Sequence, residues 1–291
     1  MFLKILNGWD EEKMNDLITN IGKSIIQHGK FNDRIYLMKL VSDDIPNLIY
    51  DLEKLASSED YSKIIAKVPA FAQDVFMDNG YIVEAHIPDF FTGNEDVFFM
   101  SKYRYELSNQ DENDAEIEKI VNMALSKAQS PINVDISSEF YCKICEISDA
   151  NKIVDIYKNV FKTYPFPIHD IEYIEKTMNE NIVYFGIWKD DEIVSVSSSE
   201  MDIKSQNAEM TDFATLVEYR GLGFASYLLE CMENEMRMRN VRVVYTIARA
   251  ISYGINILFS KSGYSYTGTL LNNTNISGNI ENMNIWYKCM Q

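Results

Sequence analysis

A turn that contains two glycines and an arginine is the stretch of this sequence best suited to bind an anion. An apolar run ends at Arg220, Gly221 and Gly223, and a helical pattern of apolar residues begins at Phe224. The first N–H groups of a helix have no partner within the helix, and they lie at the positive end of its dipole. Glycines let a ligand approach the main chain, and Arg220 adds a cation. The turn is therefore suited to a diphosphate.

Two familiar nucleotide sites do not match this turn. It lacks the Gly-Lys-Ser/Thr of a P-loop, and it has neither the third glycine nor the downstream acidic residue of a Rossmann dinucleotide site. Glycines also occur where a strand meets a helix simply as turn residues. Both interpretations of the turn stay open at this point.

The composition is that of an acidic, folded protein. The 291 residues predict about two domains. The net charge of −17 argues against nucleic acid or an anionic membrane as a partner, because both bind clustered Lys and Arg, and it is compatible with a small cationic substrate. No apolar run approaches the ~20 residues of a membrane span, and residues 1–10 do not form a signal peptide, so we expect a cytoplasmic protein.

The cysteines and histidines do not predict a metal site. Cys142 and Cys145 form a C-x-x-C, but they lie in a predicted strand, where residues three apart point to opposite faces. No second cysteine or histidine pair completes a zinc site, and His28, His86 and His169 are scattered. We expect reduced thiols and no metal.

Strands and helices alternate along the chain in two series. The first series, in the order β-α-β-α-β-β, has predicted strands at 34–41, 61–68, 81–91 and 97–105 and helices at 45–56 and 71–78. A helical stretch follows at 110–128, and Ser130-Pro131 then breaks it. We therefore predict two domains, 1–132 and 133–291.

The second series is longer, in the order β-α-α-β-β-β-α-β-α-β-β. Its predicted strands are 140–147, 182–188, 192–201, 208–216, 242–248, 264–272 and 282–288, and its helices are 148–161, 170–178, 224 onward and 252–261. The last two strands are predicted to form an antiparallel pair.

Residues 135–291 resemble the GNAT superfamily of N-acetyltransferases. The resemblance rests on the element order, on Arg-x-x-Gly-x-Ala at 220–225, and on Phe259-Ser-Lys-Ser-Gly-Tyr264. It implies an α/β fold with a mixed sheet and acetyl-CoA as cosubstrate. The first series has the order of the latter half of that fold, with Ser42–Pro46 where the glycine turn would be. It is either a degenerate GNAT half that no longer binds CoA or an unrelated α/β module.

The resemblance also implies which residues contact acetyl-CoA. They lie on the strand before the turn, in the turn, and on the last helix: Phe213, Ala214, Thr215, Arg220, Gly221, Leu222, Gly223, Phe224, Ala225, Ser226, Ser252, Asn256, Phe259 and Lys261.

A narrower resemblance concerns the substrate. Segments 246–256, 272–276 and 164–167 are similar to those of bacterial and archaeal β-lysine N-acetyltransferases. That similarity implies acetylation of the ε-amine of β-lysine to the compatible solute Nε-acetyl-β-lysine, with a lysine 2,3-aminomutase supplying the substrate. Alternatives are another small amine, such as a polyamine or lysine, and a non-catalytic acyl-CoA sensor.

Acetylating an amine requires removal of a proton. An alkylammonium has a pKa of about 10.4, so freeing its lone pair at pH 7 costs roughly 4.6 kcal/mol. Glu209 and Asp212 lie on the strand before the turn, pointing to opposite faces if that strand is regular. Glu209 is the preferred base, because many relatives have a glutamate there, and Asp212 is a candidate to hold the ammonium.

The leaving thiolate and the substrate's remaining groups need partners as well. Relatives often use a tyrosine as general acid where this chain has Phe259, so Tyr253 is a candidate substitute. Arg249 follows a strand end and could grip a carboxylate through two hydrogen bonds. The remaining candidate substrate contacts are Tyr164, Phe166, Asn272, Asn273 and Asn275.

Overall fold

The protein is built from two mixed β-sheets with helices packed against them. A computed structural model describes residues 16–105, 110–130 and 135–290. No helix among these residues is long and apolar enough to cross a membrane.

The N-terminal sheet has six strands in the order β1-β2-β3-β4-β6-β5. They are β1 (Leu17–Ile21), β2 (Ser24–Gly29), β3 (Arg34–Lys39), β4 (Lys63–Pro69), β5 (Ile82–Phe91) and β6 (Glu95–Tyr103). Helices α1 (Asn47–Ser58) and α2 (Gln73–Asp78) pack on one face, where α1 buries Leu48, Ile49, Leu52 and Ala56 at helical spacing. Strands β1 and β2 were not predicted from the sequence.

The C-terminal sheet has seven strands in the order β12-β13-β11-β10-β9-β8-β7. They are β7 (Phe140–Ile144), β8 (Ile182–Lys189), β9 (Glu192–Asp202), β10 (Asn207–Thr215), β11 (Val243–Arg249), β12 (Ser265–Ile276) and β13 (Asn279–Cys289). Helices α4 (Ala150–Val160) and α5 (Ile171–Glu180) pack on one face, and α6 (Phe224–Met238) and α7 (Tyr253–Lys261) on the other. The predicted element order of this half is confirmed, including the antiparallel final pair.

The N-terminal sheet has the topology of the C-terminal sheet from β8 onward. In each sheet, antiparallel strands lead to a parallel pair connected by a helix, β3–α1–β4 in one and β10–α6–β11 in the other. An antiparallel hairpin then completes each sheet, with its second strand next to the parallel pair. The N-terminal series therefore has a GNAT-like strand order without the first strand and first two helices of the C-terminal series.

Helix α3 (Gln110–Ser126) belongs spatially to the C-terminal half. Ala124 lies in the core formed with α6 and α7, and the Ser260 hydroxyl of α7 donates to the Ala124 carbonyl at 2.8 Å. The predicted boundary near residue 132 assigns this helix to the N-terminal domain, although its buried face packs on the C-terminal one. The boundary itself falls among residues 131–134, outside the described residues.

The two sheets pack face to face and share a hydrophobic core. Phe90 and Phe99 of the N-terminal sheet meet Tyr245, Leu270 and Ile285 of the C-terminal sheet in one buried cluster. This packing places β3 and β4 of the N-terminal sheet beside the centre of the C-terminal sheet.

The four cysteines are free, and Cys142 and Cys145 pack on opposite faces of the sheet, as the strand pattern predicts. Among the described residues, no cluster of three or more His, Cys, Asp or Glu side chains could hold a metal ion.

Candidate active site

An outer cleft opens where the central parallel strands separate. Strand β10 pairs with β11 only from Asn207 to Glu209, and beyond that point β10 follows β9 while β11 follows β13. The cleft has a volume of about 690 Å³ and lies between the N-terminal ends of α6 and α7. Its position and size suit an extended ligand.

The glycine turn forms one end of this cleft. Gly221 and Gly223 have φ values of 81° and 82°, in the left-handed region that favours glycine, and Gly223 is the N-cap of α6 with no side chain capping the helix. A Cβ at Gly221 would meet nothing within 4 Å, so the space above the turn is open. Arg220 is exposed beside it, with its Nε donating to the Thr215 carbonyl at 3.3 Å. The turn can accept an anionic group.

An inner cavity of about 100 Å³ lies between the two sheets. Three carboxylates line it, together with aromatic side chains and two cations from the N-terminal sheet. Six residues line both this cavity and the outer cleft, so the two spaces meet there: Tyr164, Thr211, Asp212, Ile247, Ile276 and Met283.

A β-bulge in β10 brings Glu209 and Asp212 into the same cavity. The register with β9 shifts between Thr211 and Ala214, and Asp212 has a φ of 57°. A regular strand would point residues 209 and 212 to opposite faces, as the sequence predicts, but the extra residue of a bulge reverses the alternation. The expectation of opposite faces applied to a regular strand, and with the bulge both carboxylates, together with Glu200 of β9, line the inner cavity.

Asp212 is held by hydroxyl groups at the junction of the two cavities. It accepts hydrogen bonds from Ser198 Oγ at 2.6 Å and from the Tyr164 hydroxyl. Burial raises the pKa of Asp212, although these donors act in the opposite direction. Burial and the neighbouring Asp212 raise the pKa of Tyr164 well above its ordinary value. Asp212 is thus a fixed carboxylate with increased proton affinity.

Glu209 lies further inside, close to a second carboxylate. Burial and the charge of Glu200 raise the pKa of Glu209 to about 8, and burial also raises the pKa of Glu200. Lys67 of β4 lowers both pKa values in part. The inner cavity is therefore suited to a cation, which would favour the ionised carboxylates.

The N-terminal sheet contributes a wall that was not predicted from the sequence. Arg34, Tyr36 and Met38 of β3 line the inner cavity with Lys67. Their alternation with the buried Ile35 and Leu37 is the sequence signal that they share one face of a strand. Which partner covers that face depends on domain packing, which the local sequence does not encode.

Most residues predicted to contact the cofactor line the outer cleft. These are Phe213, Thr215, Arg220, Gly221, Gly223, Phe224, Ala225, Ser226, Ser252 and Lys261.

Four other predicted cofactor contacts point elsewhere. Leu222 is 50% exposed outside the cleft walls, and Ala214 packs into the core beneath α4. Phe259 is fully buried between Phe213 and Tyr264. None of the three lines the outer cleft or the inner cavity, and the side chains of Ala214 and Phe259 complete the hydrophobic core instead.

Asn256, the fourth of them, is a structural residue. It is fully buried, its Nδ2 donates to main-chain carbonyls of the loop before α7, and its Oδ1 accepts from Asn284 and Trp286. With donors and acceptor all engaged, this amide fixes the loop and has no group left for a ligand.

Two residues predicted to act in catalysis or to bind the substrate do not line the inner cavity. Tyr253 is the first residue of α7, 38% exposed, and lines neither cavity. Arg249 lines the outer cleft, but its guanidinium pairs with Glu281, with Nε donating at 2.6 Å. It already has a carboxylate partner and does not line the inner cavity.

Of the three asparagines predicted to contact the substrate, one lines the inner cavity and two do not. Asn272 is exposed, and Asn275 bonds to the N-terminal sheet through Asn32 and the Phe31 carbonyl. Asn273 is buried and lines the inner cavity, as do Tyr164 and Phe166.

Comparison with known proteins agrees with this fold. Residues 143–266 match a family model described as an acetyltransferase (GNAT) domain. This places the C-terminal half in the class of acetyl-CoA-dependent acyltransferases.

Characterised relatives extend the similarity over nearly the whole chain. The β-lysine N(6)-acetyltransferase of Methanococcus maripaludis is 46% identical over 93% of this chain and 98% of the relative. N-acetyltransferase YodP of Bacillus subtilis is 33% identical over 91% and 95%. The β-lysine N(6)-acetyltransferase of Methanosarcina mazei is 33% identical over 82% and 95%. The chain belongs to the GNAT acetyltransferase family that includes these proteins.

Proposed function

We propose that the protein transfers the acetyl group of acetyl-CoA to the ε-amine of β-lysine. The observation that supports this most directly is that a cleft with an anion-binding turn meets a carboxylate-lined cavity at Asp212. Two relatives that the chain matches over nearly their full lengths are β-lysine N(6)-acetyltransferases.

The outer cleft is the proposed site of acetyl-CoA. The N–H groups of the glycine turn and the Arg220 guanidinium would hold its diphosphate at the positive end of α6. When bound, acetyl-CoA supplies the acetyl group as an activated thioester. Phe213 and Ile247 line the cleft on the two separating strands, where they would exclude water from the acyl end.

Asp212 is the proposed acceptor of the ammonium proton. It is the carboxylate that lines both spaces, so an amine held at the junction is within its reach. The amine nitrogen would lose one proton to Asp212 and attack the thioester carbon, which forms the N–C bond. As the C–S bond breaks and the thiolate leaves, the nitrogen would lose its second proton to water, which gives the neutral amide. A thiol of pKa about 8.5 is a fair leaving group without a general acid. Glu209 and Glu200 would instead attract and orient the cationic substrate.

The small enclosed cavity favours a free amino acid over a polypeptide chain end. β-Lysine is a product of lysine 2,3-aminomutase chemistry, so we propose that such an enzyme supplies the substrate and that the product is the compatible solute Nε-acetyl-β-lysine. We also propose that the N-terminal sheet, with helices α1 and α2, is a degenerate GNAT half that no longer binds CoA and serves as a wall of the inner cavity.

Thiol release from acetyl-CoA with a panel of amines tests the assignment. We expect saturable release with β-lysine, weaker release with lysine, and little with polyamines. Preference for a polyamine would reassign the substrate, and CoA binding without release would favour a sensor.

Two isosteric variants separate the carboxylate roles. Asp212→Asn should lower kcat by roughly 10²–10⁴-fold, the range of general-base catalysis. Glu209→Gln should mainly raise KM for the amine. The opposite pattern would make Glu209 the base, as the resemblance to the GNAT superfamily implies.

A further inference from the structure

Arg34 is a buried cation that makes no salt bridge among the residues that the structure describes. It begins β3, is 4% exposed, and lines the inner cavity. Its Nε has no hydrogen-bond partner among the described residues, and its Nη1 makes one long bond, 3.4 Å to Thr274 Oγ1. A buried guanidinium normally gains a paired anion, because desolvation of the charge is costly.

The neighbouring cation Lys63, in contrast to Arg34, has both a carboxylate and a carbonyl partner between the two sheets. Lys63 is the register partner of Arg34 across β3 and β4 and is equally buried. Its Nζ donates to Glu84 at 3.0 Å and to the Leu271 carbonyl at 2.5 Å. Lys63 therefore ties the two sheets together, whereas Arg34 lines the inner cavity with an Nε that is unpaired among the described residues.

Lys67, the other cation that lines the inner cavity, differs from Arg34 because it acts on carboxylates there. Its charge acts on Glu200 and Glu209, whose pKa values it lowers. The carboxylates of the cavity thus have Lys67 as a counter-charge, and Arg34 lies among Thr274, Asn273 and aromatic side chains.

An unpaired acceptor lies beside the unpaired donor. Asn273 is 3% exposed, its Nδ2 donates to Thr274 Oγ1 at 3.1 Å, and its Oδ1 has no partner. Arg34 and Asn273 therefore bond to the same threonine hydroxyl. The unpaired N–H of Arg34 and the unpaired oxygen of Asn273 thus belong to two neighbouring residues that line the inner cavity. A carboxylate with an ammonium nearby, the head of an amino acid, would satisfy both.

We infer that Arg34, with Asn273 beside it, binds the carboxylate end of the substrate and makes the site selective for amino acids over simple amines. The inference rests on the proposed acetylation of an amine. Asp212 lies where the inner cavity meets the outer cleft, and Arg34 lines the inner cavity but not the outer cleft. The substrate would therefore span the cavity with its side-chain amine toward the cofactor. The specificity residue then comes from the N-terminal sheet.

The test compares β-lysine with its carboxamide, which keeps both amines and loses the negative charge. The wild-type protein should prefer β-lysine in kcat/KM by on the order of 100-fold, as expected for a buried charge-assisted pair. Arg34→Met should abolish that preference, with an unchanged KM for acetyl-CoA. Arg34→Lys, which keeps the charge, should retain part of it. Lys39→Met, at the exposed end of the same strand, should behave like wild type.

The remaining outcomes distinguish the role of Arg34 from the proposed acetylation. Equal use of both substrates by the wild-type protein, or an equal loss for both in Arg34→Met, would overturn the role of Arg34 and leave the proposed acetylation intact. No turnover of either substrate by the wild-type protein would instead refute the proposed function. A thermal shift by β-lysine, present in the wild type and absent in folded Arg34→Met, would support the inference independently of turnover.

Discussion

The protonation of Glu209 should set the lower limb of the pH profile. Its pKa of about 8 results from burial and from the charge of Glu200. Below that pH the carboxyl is neutral and cannot attract the substrate ammonium. Above it, the ionised form is present until the amine itself loses its proton at a pKa of about 10.4. We therefore expect kcat/KM for the amine to rise with pH to about 8 and to fall only beyond about 10.

The size of the effect follows from the ionised fraction. At pH 6, two units below the pKa, about one molecule in a hundred has an ionised Glu209, so kcat/KM should be about 100-fold below its plateau. Because kcat/KM reports the free enzyme and free substrate, substrate binding does not shift this value.

The assay is thiol release at saturating acetyl-CoA, with the amine varied between pH 6 and 10. Glu209→Gln should lose the limb near pH 8, while Glu230→Gln, on the exposed face of α6, should keep it. A flat wild-type profile from pH 6 to 8, or an unchanged limb in Glu209→Gln, would refute the reasoning.

Stability provides a second measurement of the same group that does not depend on turnover. The folded-state pKa of Glu209, about 8, lies above the ordinary value of 4.5, so the folded protein binds this proton more tightly than the unfolded chain. The contribution of Glu209 to stability is therefore greatest below pH 4.5 and is lost as pH rises through 8. Glu209→Gln should melt at a higher temperature than wild type at pH 9.

Three further substitutions test the placement of the site. Gly223→Ala puts a Cβ at a φ of 82°, so unfolding free energy should fall by roughly 1–2 kcal/mol, and KM should rise for acetyl-CoA but not for the amine. In Gly268→Ala the new Cβ would lie 2.0 Å from the Glu84 carbonyl oxygen of the other sheet, so denaturant titration should show a loss of about 1–3 kcal/mol, with a raised amine KM. Phe259→Tyr buries a hydroxyl in the core and should cost about 1–3 kcal/mol without raising kcat; a faster enzyme of normal stability would return residue 259 to the site.

Local signals in the sequence predicted the elements around the cofactor cleft. The expected strand at 208–216 and the helix from 224 correspond to Asn207–Thr215 and Phe224–Met238, because an apolar run, positive-φ glycines and an amphipathic repeat all act within a few residues. The missed strands β1 and β2 are short and rich in polar residues. Their one local signal is the tight turn at Gly22 and Lys23 between them.

The amine pocket was less predictable because it depends on long-range packing. The bulge that moves Asp212 beside Glu209 leaves no distinctive residue in the sequence. Arg249 seemed free to bind a carboxylate until folding brought Glu281, which is 32 positions away, against it. The cations that line the cavity come instead from β3 and β4, in a part of the chain where the glycine-turn motif is absent.

The two halves differ at the turn that we propose binds the diphosphate of acetyl-CoA. After β10, Gly221 and Gly223 open the start of α6. After β3, the corresponding turn is a 3₁₀ turn at Ser42–Asp44, where Asp44 accepts from the Lys23 N–H at 2.9 Å and from Ser24 Oγ at 2.6 Å. An approaching diphosphate would meet carboxylates there.

The turn at Ser42–Asp44 does not offer an anion site. The part of the N-terminal half that contributes to the site is the face of its sheet opposite the helices. That face supplies Arg34 and Lys67 to the inner cavity while its apolar residues bury the catalytic sheet. A C-terminal domain alone would keep the cofactor cleft and lose one wall of the amine pocket. In the proposed mechanism, the same strand order therefore serves acetyl transfer in the C-terminal half and substrate selection in the N-terminal half.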